Sequence, residues 1–191
     1  NIPIKTELGQ EFRKVFIAEK GYKLISLDFS QIDLRIAAHI AKDEKMIAIF
    51  KKGEDIHLKT AAEVFDISPE NVTPRMRREA KALNFGIIYG MGPQGFARSA
   101  GIKQTEAKKF IEKYFEEFPK IAEYMESRRA EAHDKGIVKN LLGRKRQLNE
   151  IYSSIPEMIR QAERMAINFP IQSMTSDITK MAMIKIHDYI H

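Results

Sequence analysis

A helix is written into residues 73–92 more firmly than any other element of this sequence. Thr73 has the hydroxyl that suits an N-cap, and Pro74 fits the first helical position, where its missing N–H costs nothing. Gly90 and Gly92 then stop the run. Within it Arg77, Lys81, Phe85 and Tyr89 recur every four residues and so form one slowly drifting stripe. Met76, Ala80, Leu83 and Ile87 lie on another side and can pack. Two cations followed by two aromatics suit a ligand with a polyphosphate at one end and a planar base at the other. Arg offers a fork to phosphate oxygens, Lys a point charge, Phe and Tyr faces for stacking. A solvated basic face running into a partly buried aromatic end would produce the same letters.

The rest of the chain divides by pattern. Residues 22–29 are a short apolar run of strand length, predicted as a buried strand. It turns directly into a helix in which Ile32, Ile36 and Ile40 recur four apart, with Ser30 and Asp33 matching a capping box. Thr105 starts a further helix whose apolar positions, from Phe110 to Met125, keep helical spacing across a kink at Pro119. Lys135-Gly136 ends it. Residues 137–148 read as two short strands around Leu142-Gly143-Arg144, and from Pro156 the pattern is helical again, interrupted at Pro170. The predicted class is therefore α+β, mostly helical, without regular βαβ alternation.

Composition narrows the chemistry. The 191 residues are 43% hydrophobic, enough for a real core, and the formal net charge of +6 favours a polyanionic partner. There is no Cys, so disulfides, thiolate zinc sites and cysteine nucleophiles drop out together. No apolar stretch approaches the ~20 residues of a membrane span, and no signal peptide is visible. The chain reads as soluble and cytoplasmic, and as a piece of a longer one.

Asp28 ends the apolar run, although Asp is depleted inside strands. A carboxylate held there can ligate Mg²⁺ together with the Phe29 carbonyl; it can equally serve only to solvate a strand end. Asp33 has a local use as the acid of the capping box. Gly90-Met91-Gly92-Pro93-Gln94-Gly95 fits the Gly-x-Gly-x-x-Gly fingerprint but follows a helix rather than a strand, so it is read as a helix stop and turn. His57, after Asp55-Ile56, can bond a phosphate or simply pack. His187-Asp188 is ordinary helix-end polarity.

The segments Asp28-Phe29-Ser30-Gln31-Ile32-Asp33-Leu34-Arg35 and Arg77 to Gly90 resemble motifs A and B of the family A DNA polymerases. Asn1-Ile2-Pro3, Asp55-Ile56-His57 and Asn168-Phe169-Pro170-Ile171-Gln172 also sit where that family would place them, so the likeness covers nearly the whole chain. It implies a right-hand architecture: mostly helical fingers inserted into part of a palm with a small antiparallel sheet. Residues 1–35 would be the first palm segment with motif A, 36–150 the fingers with motif B, and 151–191 the return to the palm.

By that resemblance Asp28 would hold two Mg²⁺ ions, with the Phe29 carbonyl as an added ligand. Arg77, Lys81 and His57 would take the triphosphate, and Lys81 with Asp28 would be catalytic. Phe85 would meet sugar and base, Tyr89 the nascent pair. Closure of the fingers would carry this helix toward Asp28. Arg164, Asn168 and Gln172, again four apart, would touch template and primer. The partners implied are primer-template DNA and a dNTP, with no membrane, for a monomer in the cytoplasm, at the nucleoid or in a viral host.

Three positions depart from the family pattern. Asp33 stands where Glu is usual, at the residue that closes the space beside the sugar 2′ position. Phe85 is one of two familiar choices there, and the one associated with poorer use of dideoxynucleotides. Ser173 replaces a usual Gly. Motif C, the His-Asp-Glu that supplies the second metal carboxylate, is expected beyond residue 191, which would leave the isolated chain inactive. A non-catalytic DNA-binding module built on the same fold is the alternative, and a single-subunit RNA polymerase is disfavoured by the acid kept at Asp33.

Overall fold

The structure is a computed structural model that describes Pro3 and residues 6–190; Asn1 and Ile2 of the first family-like segment lie outside the described residues. Contacts divide the chain into two compact units, residues 1–30 and 31–191.

In the first unit α1 spans Glu7–Arg13, with the Thr6 hydroxyl accepting from the Gly9 amide at 3.1 Å. The buried strand predicted over residues 22–29 is not formed, and Tyr22, Leu24, Ile25 and Leu27 are exposed. A strand exists only through ladder hydrogen bonds, and among the described residues this segment has no ladder partner.

The second unit is helical: α2 (Ile32–Ala41), α3 (Glu44–Lys51), α4 (Ile56–Phe65), α5 (Pro74–Ile88), α6 (Pro93–Ala100), α7 (Gln104–Glu117), α8 (Pro119–Lys135) and α9 (Pro156–Ile190). One antiparallel hairpin, β1 (Ile137–Lys139) with β2 (Lys145–Gln147), pairs Val138 with Arg146. The α+β expectation holds. No helix among the described residues is long and apolar enough to cross a membrane.

α5 begins as the sequence dictates, with the Thr73 hydroxyl accepting from the Met76 amide and Pro74 in the first turn. Leu83 and Ile87 enter a core shared with Leu34, Ile56, Tyr114, Phe118 and Ile167, and Ala80 is buried as well. α4 and α5 pack together, while α6 and α7 form a second pair. A smaller cluster of Val138, Leu148, Ile151, Ala162 and Ala166 fastens the hairpin to α8 and α9.

The structure corrects three local expectations. Ser30 is not the N-cap of α2: Gln31 takes that place, in left-handed conformation at φ 55° and with no hydrogen bond from its own side chain to the helix. Asp33 is instead engaged by tertiary partners described below. Pro119 begins α8 outright, because Phe118 leaves helical geometry at φ −124°, ψ 66°, so the kink is a break. Pro170, by contrast, interrupts nothing. α9 runs through it, since Ala166 and Ile167 before it and Ile171 and Met174 after it are all buried, and that packing outweighs one missing N–H. Ser173 adds a 2.6 Å hydrogen bond to the Phe169 carbonyl.

The hairpin is anchored on α9. Asp177 accepts from Asn140 Nδ2 at 2.9 Å and from Arg144 Nη2 at 2.5 Å, while Asn140 Oδ1 accepts from the Leu142 and Arg144 amides. A side chain from a helix thus fixes both ends of a turn.

Candidate functional site

The stripe on α5 is real, and its neighbours explain its shape. Arg77 reaches sideways to Asp55, Nε to Oδ2 at 2.7 Å. Asp55 is the N-cap of α4, where its Oδ1 also accepts from the His57 and Leu58 amides. Burial raises the Asp55 pKa, but the Arg77 hydrogen bond and those two amides outweigh it, leaving the carboxyl below its ordinary range. One turn on, Lys81 is exposed and makes no ion pair among the described residues. A cation the fold does not employ is available to a ligand.

Phe85 and Tyr89 continue the row with ring centroids 6.2 Å apart, and the His57 ring lies 5.8 Å from Phe85 on the α4 side. His57 is only 2% exposed, and Asn84 Nδ2 stands 3.2 Å from its Nδ1. Burial pushes the imidazole down to about 4; Asp55 opposes this, while Arg77 and Lys81 add to it.

At the end of α5 the Tyr89 hydroxyl donates to Asp33 Oδ2 at 2.6 Å, and Thr175 on α9 donates to Asp33 Oδ1 at 2.5 Å. One carboxylate therefore ties together α2, α5 and α9. Burial, then the hydrogen bond and charge of Asp33, push the Tyr89 phenol up to about 12. Asn168 Nδ2 donates to the Tyr89 carbonyl at 3.3 Å, and its buried Oδ1 finds no partner among the described residues. Gly90, at φ +71°, lets the chain turn against α9: a Cβ there would meet Arg164 Cγ at 3.0 Å. Arg164 is joined to Glu157 at 3.3 Å, and Gln172 is exposed on the same helix.

A cavity of about 680 Å³ opens beside this junction, lined by Tyr89, the Gly90–Gly95 turn, Arg160 and Arg164. The second unit thus brings Asp33, His57, Arg77, Lys81, Phe85 and Tyr89 onto α5 and its flank, with Arg164 and Asn168 next to its end.

Asp28 and Phe29 belong to the first unit, where both are exposed, Phe29 by 47%. Among the described residues no three His, Asp or Glu side chains converge as a metal-holding group. Sequence reasoning missed Asn84 and Thr175, whose partners lie 27 and 142 positions away and leave no periodic trace.

A row of cations leads into aromatic faces, with amides and an arginine at its far end, a combination whose chemistry suits phosphate groups and planar bases. The sequence pattern of DNA polymerase family A matches residues 1–191. DNA polymerase I of Caldicellulosiruptor bescii is 49% identical over 98% of this chain, and that of Pseudomonas aeruginosa 45% over 100%. The thermostable DNA polymerase I of Thermus thermophilus is 43% identical over 97%. Among solved structures, the POL domain of Pol1 from M. smegmatis, in complex with DNA primer-template and dNTP, matches all of this chain with a TM-score of 0.90 and 39% identity. The chain belongs to DNA polymerase family A. It covers 22% and 21% of the first two relatives, and 34% of the Pol1 chain.

Proposed function

We propose that the full protein performs template-directed DNA synthesis, transferring a nucleotidyl group from a dNTP to a primer 3′-hydroxyl in replication or repair. The observation that carries this reading is the row Arg77, Lys81, Phe85 and Tyr89 on α5, in a chain of DNA polymerase family A. The M. smegmatis relative, described with primer-template and dNTP, supports those partners. Lys81 and Arg77 take the triphosphate, with His57 alongside. Phe85 meets sugar and base, and Tyr89 the nascent pair. Asp33 closes the space beside the sugar 2′ position. Arg164, Asn168 and Gln172 contact template and primer, the amides reading minor-groove acceptors that all correct pairs share.

Asp28 and Phe29 are exposed residues that carry a carboxylate and a backbone carbonyl as oxygen donors. Mg²⁺ is held by one or two carboxylates plus substrate phosphates, so this pair fits as part of its ligand set. Two bound Mg²⁺ ions supply charge that favours ionisation of the attacking hydroxyl and stabilises the leaving pyrophosphate. The chain's own residues orient the nucleotide and exclude water around it. Residues 1–35 and 151–191 are palm and 36–150 fingers, in a cytoplasmic monomer.

The test is Lys81→Ala in the full-length protein. Because Lys81 is exposed and unpaired among the described residues, folding is unaffected. The KM for dNTP rises about ten-fold or more while primer-template Kd is unchanged. A defect confined to DNA binding refutes the assignment.

A further inference from the structure

Asn84 lies on α5 with none of its surface exposed, and its amide nitrogen has three polar neighbours for two hydrogens. Nδ2 lies 3.0 Å from the Ala80 carbonyl, 3.1 Å from Thr60 Oγ1 and 3.2 Å from His57 Nδ1. Oδ1 lies 3.3 Å from Thr60 Oγ1. The Ala80 carbonyl can only accept, so the atom facing it is the NH₂ end of the amide. One arrangement satisfies every group: the two amide hydrogens go to Ala80 O and His57 Nδ1, and the Thr60 hydroxyl donates to Oδ1.

That arrangement fixes the imidazole. If Nδ1 accepts a hydrogen bond it carries no proton, and the proton of the neutral ring is on Nε2. A protonated ring would set an Nδ1–H against the amide hydrogens at a buried site. The charged groups facing the ring are Asp55 at the cap of its own helix, and Arg77 and Lys81 on α5.

We infer that Asn84 is a positioning residue that holds His57 as a neutral Nε2–H donor beside the α5 stripe, so that His57 offers a nucleotide a hydrogen bond and not a charge. The inference deepens the polymerase reading and rests on it for the identity of the ligand. Charge for the triphosphate is left to Arg77 and Lys81, and the His57 contribution stays constant across neutral pH. A neutral ring thereby avoids the desolvation cost that a charged imidazole would carry at this buried position.

The test uses ring-¹⁵N-histidine NMR of the full-length protein, with primer extension measured in parallel. In the wild type, Nδ1 of His57 is unprotonated and Nε2 protonated from pH 5.5 to 8, and the KM for dNTP shows no histidine ionisation over that range. In Asn84→Asp the carboxylate attracts a proton to Nδ1, the ring titrates near neutrality, and the KM for dNTP becomes pH-dependent. Asn84→Gln retains the amide chemistry and recovers more of the wild-type tautomer signal than Asn84→Asp. An Nδ1-protonated wild type, or a tautomer indifferent to Asn84→Asp, overturns the inference. A wild type that extends no primer yet shows the Nε2–H ring overturns only the polymerase reading and supports the positioning role.

Discussion

The Tyr89 hydroxyl, at the C-terminal cap of α5, lies 2.6 Å from Oδ2 of Asp33 in the first turn of α2, and Thr175 of α9 occupies the other oxygen. The carboxylate expected to cap its own helix holds two other helices instead. A hydrogen bond to a charged group contributes about 1.5–3 kcal/mol when buried, and less where water reaches it. Tyr89→Phe and Thr175→Val should therefore each lower stability by about 1 kcal/mol. Because both act on one carboxylate, the double variant should depart from additivity. Urea midpoints of the four proteins measure this, and strict additivity would show that the two contacts are independent.

Lengthening the same acid has a functional readout. Asp33→Glu restores the residue usual in the family at the sugar 2′ side and should tighten rejection of ribonucleotides. The ratio of kcat/KM for dNTP to that for rNTP is the measurement, and an unaltered ratio contradicts the role proposed for Asp33.

Gly90 faces two obstacles to substitution, a positive φ of 71° and an incoming Cβ 3.0 Å from Arg164 Cγ. Left-handed backbone costs a non-glycine residue about 1–2 kcal/mol. Gly90→Ala should lose that much or more by urea denaturation, and should weaken primer-template binding by displacing Arg164. Gly92, whose Cβ position is open and whose φ is negative, serves as the control: Gly92→Ala should cost far less.

Acid should destabilise the second unit in two stages. His57 has its pKa pushed down by burial to about 4 from an ordinary 6.5, so the unfolded chain binds a proton that the folded chain refuses between those values. Stability from this group is complete above pH 6.5 and is lost as pH falls to about 4. Asp55, net lowered by Arg77 and the helix amides against its burial, and Asp177, lowered chiefly by the Arg144 hydrogen bond, add losses below about pH 4 as they protonate. Unfolding midpoints at pH 7 and pH 5 for wild type and His57→Gln separate the first stage; an equal pH slope in both proteins would rule it out.

Local chemistry made part of this molecule legible. Thr73-Pro74, Lys135-Gly136 and the Gly143 turn each act within a few residues, and each appears where expected. The stripe from Arg77 to Tyr89 was legible for the same reason, since helical spacing alone aligns it. Residues 22–29 have strand composition, but a strand is a property of a pair, and composition cannot supply the partner. Asp33 matched a capping pattern that lost to partners 56 and 142 residues away. Pro170 is a breaker locally, yet burial on both sides carries the helix through.

The anchoring of the hairpin on Asp177 has a practical side. Asn140 and Arg144 are clamped at the base of the loop while the Leu141 side chain is 57% exposed above them. A fluorophore attached at Leu141 would therefore ride on α9 and report the orientation of that long rod, with little wobble of its own.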